Sequence, residues 1–243
     1  MASNPMLNER AFERAKESAY NITQVMTLQG TINKTFFLLF LCVVGGMITW
    51  TNYESWANSL LFIMIGAVVL GFVTIFKPNV SPVTAPIYAF LEGLLLGTIS
   101  ARYNVEFNGI VLNAVAITIL VFFIMLVIYR SGLIPVTRGL RIAIFAATLA
   151  ISLFYIASWL LSLFGFIPLD HVAYSSPLSI GISVVICIVA AFNFLLDFDF
   201  INKMTDIEVA PKYMEWYAGF GLLLTIIWLY LEVLRLLAKT QRR

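Results

Sequence analysis

At 243 residues the chain is long enough for one large soluble domain, yet 61% of it is hydrophobic and only 12% is charged, against roughly 45–50% and 25% in soluble chains. That composition excludes a water-soluble fold. Fifteen Lys and Arg against 13 Asp and Glu leave a net charge of +2, which offers no basic field to a nucleic acid and no acidic field to a cationic partner.

A stretch of 20 or so apolar residues crosses a bilayer as a helix. Seven such segments follow one another, at about 32–52, 57–76, 82–101, 109–129, 140–165, 176–197 and 214–237. They are continuously apolar, without the alternation of a membrane barrel, so the chain reads as an all-α polytopic membrane protein. The expected division is an N-terminal tail (1–31), a transmembrane domain (32–237) and a basic C-terminal tail (238–243).

The tail carries Glu9, Arg10, Glu13, Arg14, Lys16 and Glu17 and no small-residue cleavage site follows the first span, which argues against a cleaved signal peptide. Residues 8–20 read either as an amphipathic helix on the membrane surface, with Phe12 and Tyr20 as apolar contacts, or as a solvated tail. Cys42 in the first span and Cys187 in the sixth sit in apolar runs, where a thiol acts as a small hydrophobe. With a cytoplasmic N-terminus and seven crossings, ten Lys and Arg fall inside and five outside. Four of those five, Arg235, Lys239, Arg242 and Arg243, lie at the C-terminus, and six crossings would bring them inside as well.

Function is sought in the polar groups of the spans, since a charge near the midplane costs roughly 2.5–3.5 kcal/mol on the insertion scale. Glu92 falls near the middle of the third span and has to be protonated or paired, as a hydrogen bond to a neighbouring helix or as part of a proton or ion path. Ala85, Ala89, Gly93 and Gly97 recur every four residues beside it and let another helix approach closely. Asp197 and Asp199 close the sixth span. They are either the first wet residues after a helix or the site of an Asp197–Lys77 pair across the inner mouth.

In the seventh span Gly221, Thr225, Trp228, Glu232, Arg235 and Lys239 share one helix face, suited to a seam against other helices or a narrow aqueous path. Glu232 and Arg235 are spaced to pair. Arg235 and Lys239 read better as anchors at the membrane edge. Asn113 and Asn193 suit interhelical hydrogen bonds. His171, the only histidine, has no triad around it, and no phosphate loop or metal-ligand spacing appears, so neither an enzyme nor a cofactor is expected.

Four runs carry a resemblance: Met26-Thr-Leu-Gln-Gly-Thr-Ile-Asn-Lys-Thr35, Tyr88-Ala-Phe-Leu-Glu-Gly93, Leu195-Leu-Asp-Phe-Asp-Phe-Ile201, and Glu215-Trp-Tyr-Ala-Gly-Phe-Gly221 leading to Trp228-Leu-Tyr-Leu-Glu-Val-Leu-Arg-Leu-Leu237. With their order and the length, the chain resembles the transmembrane Bax inhibitor motif family, in its bacterial YccA-like branch. The resemblance implies seven helices with the last one central, a multi-pass inner-membrane protein with a cytoplasmic N-terminus, and a pH-sensitive calcium leak channel. It also implies, as an alternative, a regulator that binds another membrane protein such as a membrane protease. A small-solute transporter ranks last, because segments 1–3 and 4–6 share no repeated motif.

The family's sensor is a pair of buried aspartates with a basic residue nearby. Asp197 matches the first aspartate, Lys77 is a shifted counterpart of the basic residue, and Thr225 stands where the second aspartate belongs. A hydroxyl cannot share a proton as a second carboxylate does. The polar core is therefore expected to be rearranged, with Asp197 working beside Asp199, Lys77, Glu92 or Glu232.

Overall fold

The computed structural model describes residues 25–56, 59–164, 176–206 and 210–242. Over them the chain is helical: α1 (Leu28–Trp50), α2 (Tyr53–Trp56), α3 (Leu60–Phe76), a 3-10 turn (Pro78–Val80), α4 (Ser81–Glu106), α5 (Ile110–Ser131), α6 (Arg138–Leu163), α7 (Pro177–Asp206) and α8 (Met214–Gln241). The only extended pairing among the described residues is an isolated bridge between Val25 and Pro211.

Six helices are long and apolar enough to cross a membrane, and they correspond to six of the seven expected segments. The remaining segment, 57–76, forms α3, a helix of 17 residues, which at 1.5 Å per residue is about 26 Å long against a core of about 30 Å.

Helix ends depart from the apolar runs where polar groups terminate them. α1 begins at Leu28 because the Thr27 hydroxyl accepts the Gly30 N–H at 3.0 Å. Thr137 does the same for α6 through Leu140 N, at 3.2 Å. α5 ends at Gly132, whose φ of 66° is the left-handed conformation that favours glycine at this position. α8 runs through Gln241, so the expected basic tail at 238–243 is for its first four residues the last turn of a helix. The 8–20 stretch and His171 lie outside the described residues.

The chain divides into two compact units, and α7 and α8 each run through both. The first takes the described residues up to Glu106 together with Asp197–Leu224. In it α1 and α3 pack on α4. The α1–α4 contact is made at backbone level: a Cβ on Gly93 would fall onto the Cys42 carbonyl, and one on Gly97 onto the Gly46 carbonyl. Ala85 and Ala89 on the same stripe are fully buried, so the small residues do admit a close helix, namely α1. The Thr49 hydroxyl crosses the seam to the Leu94 carbonyl at 3.0 Å. Between α3 and α4 the Thr74 and Thr84 hydroxyls meet at 2.7 Å.

The second unit takes Phe107–Leu196 with Thr225–Arg243. Phe122 of α5 meets Phe194 of α7 edge-on, with centroids 5.3 Å apart. The Asn193 amide donates to the Thr148 hydroxyl of α6 at 3.0 Å, which is the expected interhelical bond. Asn113 makes no such link: it is exposed, in the first turn of α5.

Candidate functional site

Each unit holds a buried carboxylate on α8, and each carboxylate is fixed by groups from elsewhere in its own unit. In the second unit Glu232 is 1% exposed. The Tyr155 hydroxyl of α6 lies 2.9 and 3.0 Å from its two oxygens, and Arg235 reaches Oε1 at 2.7 Å. The same guanidinium donates to the Tyr155 oxygen at 3.2 Å and lies 5.2 Å from the centre of its ring. The expected Glu232–Arg235 pair therefore forms, with Tyr155 as its third member.

Lys239 is 5% exposed, and its ammonium donates to the Ser183 hydroxyl of α7 at 2.8 Å, a partner the sequence reading does not name.

In the first unit Glu215 is equally buried, at 1%. Its Oε1 accepts from the Thr27 N–H at 3.0 Å, from the Thr27 hydroxyl at 2.8 Å and from Lys212 at 2.8 Å. Oε2 is buried with no hydrogen-bond partner among the described residues. The carboxylate lies over Gly30, where any Cβ would collide with it. Around this clamp Met26 N donates to the Ala210 carbonyl at 2.7 Å, Ser81 donates to the Tyr213 carbonyl at 3.0 Å, and Lys34 sits 4.7 Å from the centre of the Trp216 ring.

The remaining expected site residues are divided between the two units. Asp197, in the first unit, is fully buried (0% exposed). Asp199, two residues on, pairs with Lys203 one turn later at 2.7 Å; its side chain is 16% exposed and that of Lys203 48%. The two aspartates thus point to different sides of α7, as their spacing requires. Glu92 is half-buried, one turn after the buried Tyr88 on the same helix. Lys77 is exposed at the end of α3, and the ion pairs of the described residues include none between it and Asp197. Thr225, in the second unit, is 5% exposed.

Sequence reasoning missed Glu215, Tyr155 and Ser183 as members of polar networks. Glu215 stands in a quoted run with no role of its own assigned to it. Tyr155 and Ser183 look like ordinary span residues until a charged partner on α8 is placed opposite them. Among the described residues no cluster of His, Cys, Asp and Glu could hold a metal ion.

No curated protein matches the chain in sequence. The model of a protein family described as Bax inhibitor 1 like matches residues 4–242, almost the whole length, and the chain belongs to that family.

Proposed function

We propose that this protein is a non-enzymatic leak pathway for cations, calcium among them, whose opening responds to protons on its buried carboxylates. The observation that carries the reading is Asp197: it is 0% exposed and lies in a 30-residue helix whose apolar stretch is long enough to span a bilayer. A buried carboxylate in a membrane helix is expensive to keep ionised, and such residues mark ion and proton paths. Glu232, with Tyr155 and Arg235 around it, and Glu92, with Tyr88, supply further carboxylates within spans. Asp199, Lys77 and Thr225 complete the set of residues we assign to the path or its control.

We place the protein in a bacterial inner membrane as a YccA-like member with seven crossings, α3 included, and with its N-terminus in the cytoplasm. With Thr225 in place of a second aspartate, we assign the pH response to Asp197 working beside Asp199, Lys77, Glu92 or Glu232. The test is calcium flux into liposomes across a pH series. Wild type is expected to conduct with a pH-dependent rate, Asp197→Asn to lose that dependence, and Glu92→Gln to change the rate. Identical flux and pH response in all three sinks the reading.

A further inference from the structure

On α8, in the second unit, the Glu232 carboxylate has two cations beside it. Arg235 and Lys239 stand one turn apart on α8, and the carboxylate beside them, Glu232, is taken by Arg235 at 2.7 Å. Lys239 is 5% exposed. Its ammonium is held by two neutral oxygens, the Ser183 hydroxyl at 2.8 Å and the Ser179 carbonyl at 3.4 Å. No carboxylate lies within ion-pair distance of it among the described residues. Its hydrogen-bond partners are neutral, and Glu232, the carboxylate that acts on it from further off, is shared with Arg235; two cations against one carboxylate in an apolar medium favour the arrival of an anion.

The surroundings favour that anion. Ser179 lies in the first turn of α7, a helix of 30 residues whose N-terminal end carries partial positive charge. The Ser183 hydroxyl accepts from Lys239 and keeps its own proton to donate. Arg235 is 36% exposed, and Arg242, at the end of α8, lies 5.7 Å from the centre of the Phe107 ring. Arg235, Lys239 and the Ser183 hydroxyl thus lie where the C-terminal end of α8 meets the N-terminal end of α7. α8 has 28 residues, about 42 Å at 1.5 Å per residue, which carries its ends into the headgroup layers of a bilayer about 40–45 Å thick.

We propose that Lys239, Ser183 and Arg235 form a binding site for a phosphate group, presented by the headgroup of an anionic lipid. Basic pockets between membrane helices recognise such headgroups through this chemistry. A free phosphate offers the same oxygens, and the experiment separates the two sources.

The thermal unfolding midpoint of the full chain in a non-ionic detergent is measured with added phosphatidylglycerol, phosphatidylcholine or inorganic phosphate, since a ligand of the folded state raises it. Phosphatidylglycerol is expected to raise the wild-type midpoint well above phosphatidylcholine, and inorganic phosphate to have little effect. A phosphate response equal to that of phosphatidylglycerol supports the site and assigns it to the free anion. Lys239→Met removes the cation, and Ser183→Asp supplies the missing counter-charge from within the chain. Each is expected to lose more than half of the phosphatidylglycerol response, while Lys203→Gln, on the exposed pair of the first unit, keeps all of it. Where Lys239→Met does not fold, Ser183→Asp carries the test alone. Equal wild-type responses to the two lipids, or a full phosphatidylglycerol response in the variants, overturn the site.

Discussion

Glu215 and Glu232 are the same residue in the same helix, each 1% exposed, each with a basic residue three positions away and a hydroxyl from another part of its unit. They differ in what they hold. Glu232 is met on both oxygens, entirely by side chains of Tyr155 and Arg235. Glu215 is met on one oxygen only, and one of its donors is the backbone N–H of Thr27, the cap of α1. Glu232 therefore fixes a side-chain network, whereas Glu215 fixes where a helix begins. Buried carboxylates in one membrane helix need not share a purpose, and the donors tell them apart.

That contrast can be broken or sharpened experimentally. The largest effect is expected from the framework on which Glu215 depends. Gly93→Ala places a methyl group against the Cys42 carbonyl, where backbone cannot yield as a side chain would. A loss of about 1–3 kcal/mol is expected, as for other overpacked sites, seen as a lower unfolding midpoint in detergent. A midpoint equal to wild type would mean that α1 and α4 are further apart than described here.

Glu232→Gln is next. It removes the charge facing Arg235 while leaving a polar group of the same shape. Breaking a fully buried pair costs about 3–5 kcal/mol, and the 36% exposure of Arg235 scales that down to about 1–2 kcal/mol by solvent screening. Glu215→Gln is expected to cost less, about 1 kcal/mol, because the amide oxygen can still accept from Thr27 and the lost partner Lys212 is 45% exposed. The contrast is sharpened by a double-mutant cycle. Gly30→Ala and Glu215→Ala should be strongly non-additive, since the alanine methyl at 30 displaces the very carboxylate that the second change removes. Additive losses would dissolve the clamp.

The smallest effect belongs to the pair between Asp199 and Lys203. It spans one exposed turn, with Lys203 48% exposed. Lys203→Ala should shift stability by no more than about 0.5 kcal/mol, and less in high salt.

Much of this architecture is legible in the sequence because membrane helices obey simple rules of length and polarity. The six long spans follow from continuous apolar runs, and the Ala85–Gly97 stripe announces a close neighbour without saying which helix it is. The Glu232–Arg235 pair follows from spacing alone. Helix ends are less legible: α1 starts earlier than its apolar run because of a threonine cap, and α8 continues past its apolar run because Lys239 finds Ser183. Neither extension leaves a mark in hydropathy. The networks resist reading for the same reason. Hydrogen bonds between residues such as Tyr155 and Glu232, 77 positions apart, depend on how helices face each other, and one-dimensional periodicity gives the face of each helix without its partner.

The bond from Thr27 N–H to Glu215 joins residues 188 positions apart, and this has a consequence for assembly in time. A chain made from its N-terminus presents α1 to the membrane long before α8 exists. Until then the first helix has a ragged start, held only by its own threonine. The clamp closes only when α8 arrives, so a fixed start of α1 records that synthesis and insertion have reached α8. A chain truncated before α8 carries every earlier span yet lacks the carboxylate that holds the Thr27 N–H, so the defect falls at the start of α1, far in sequence from where the chain was cut short.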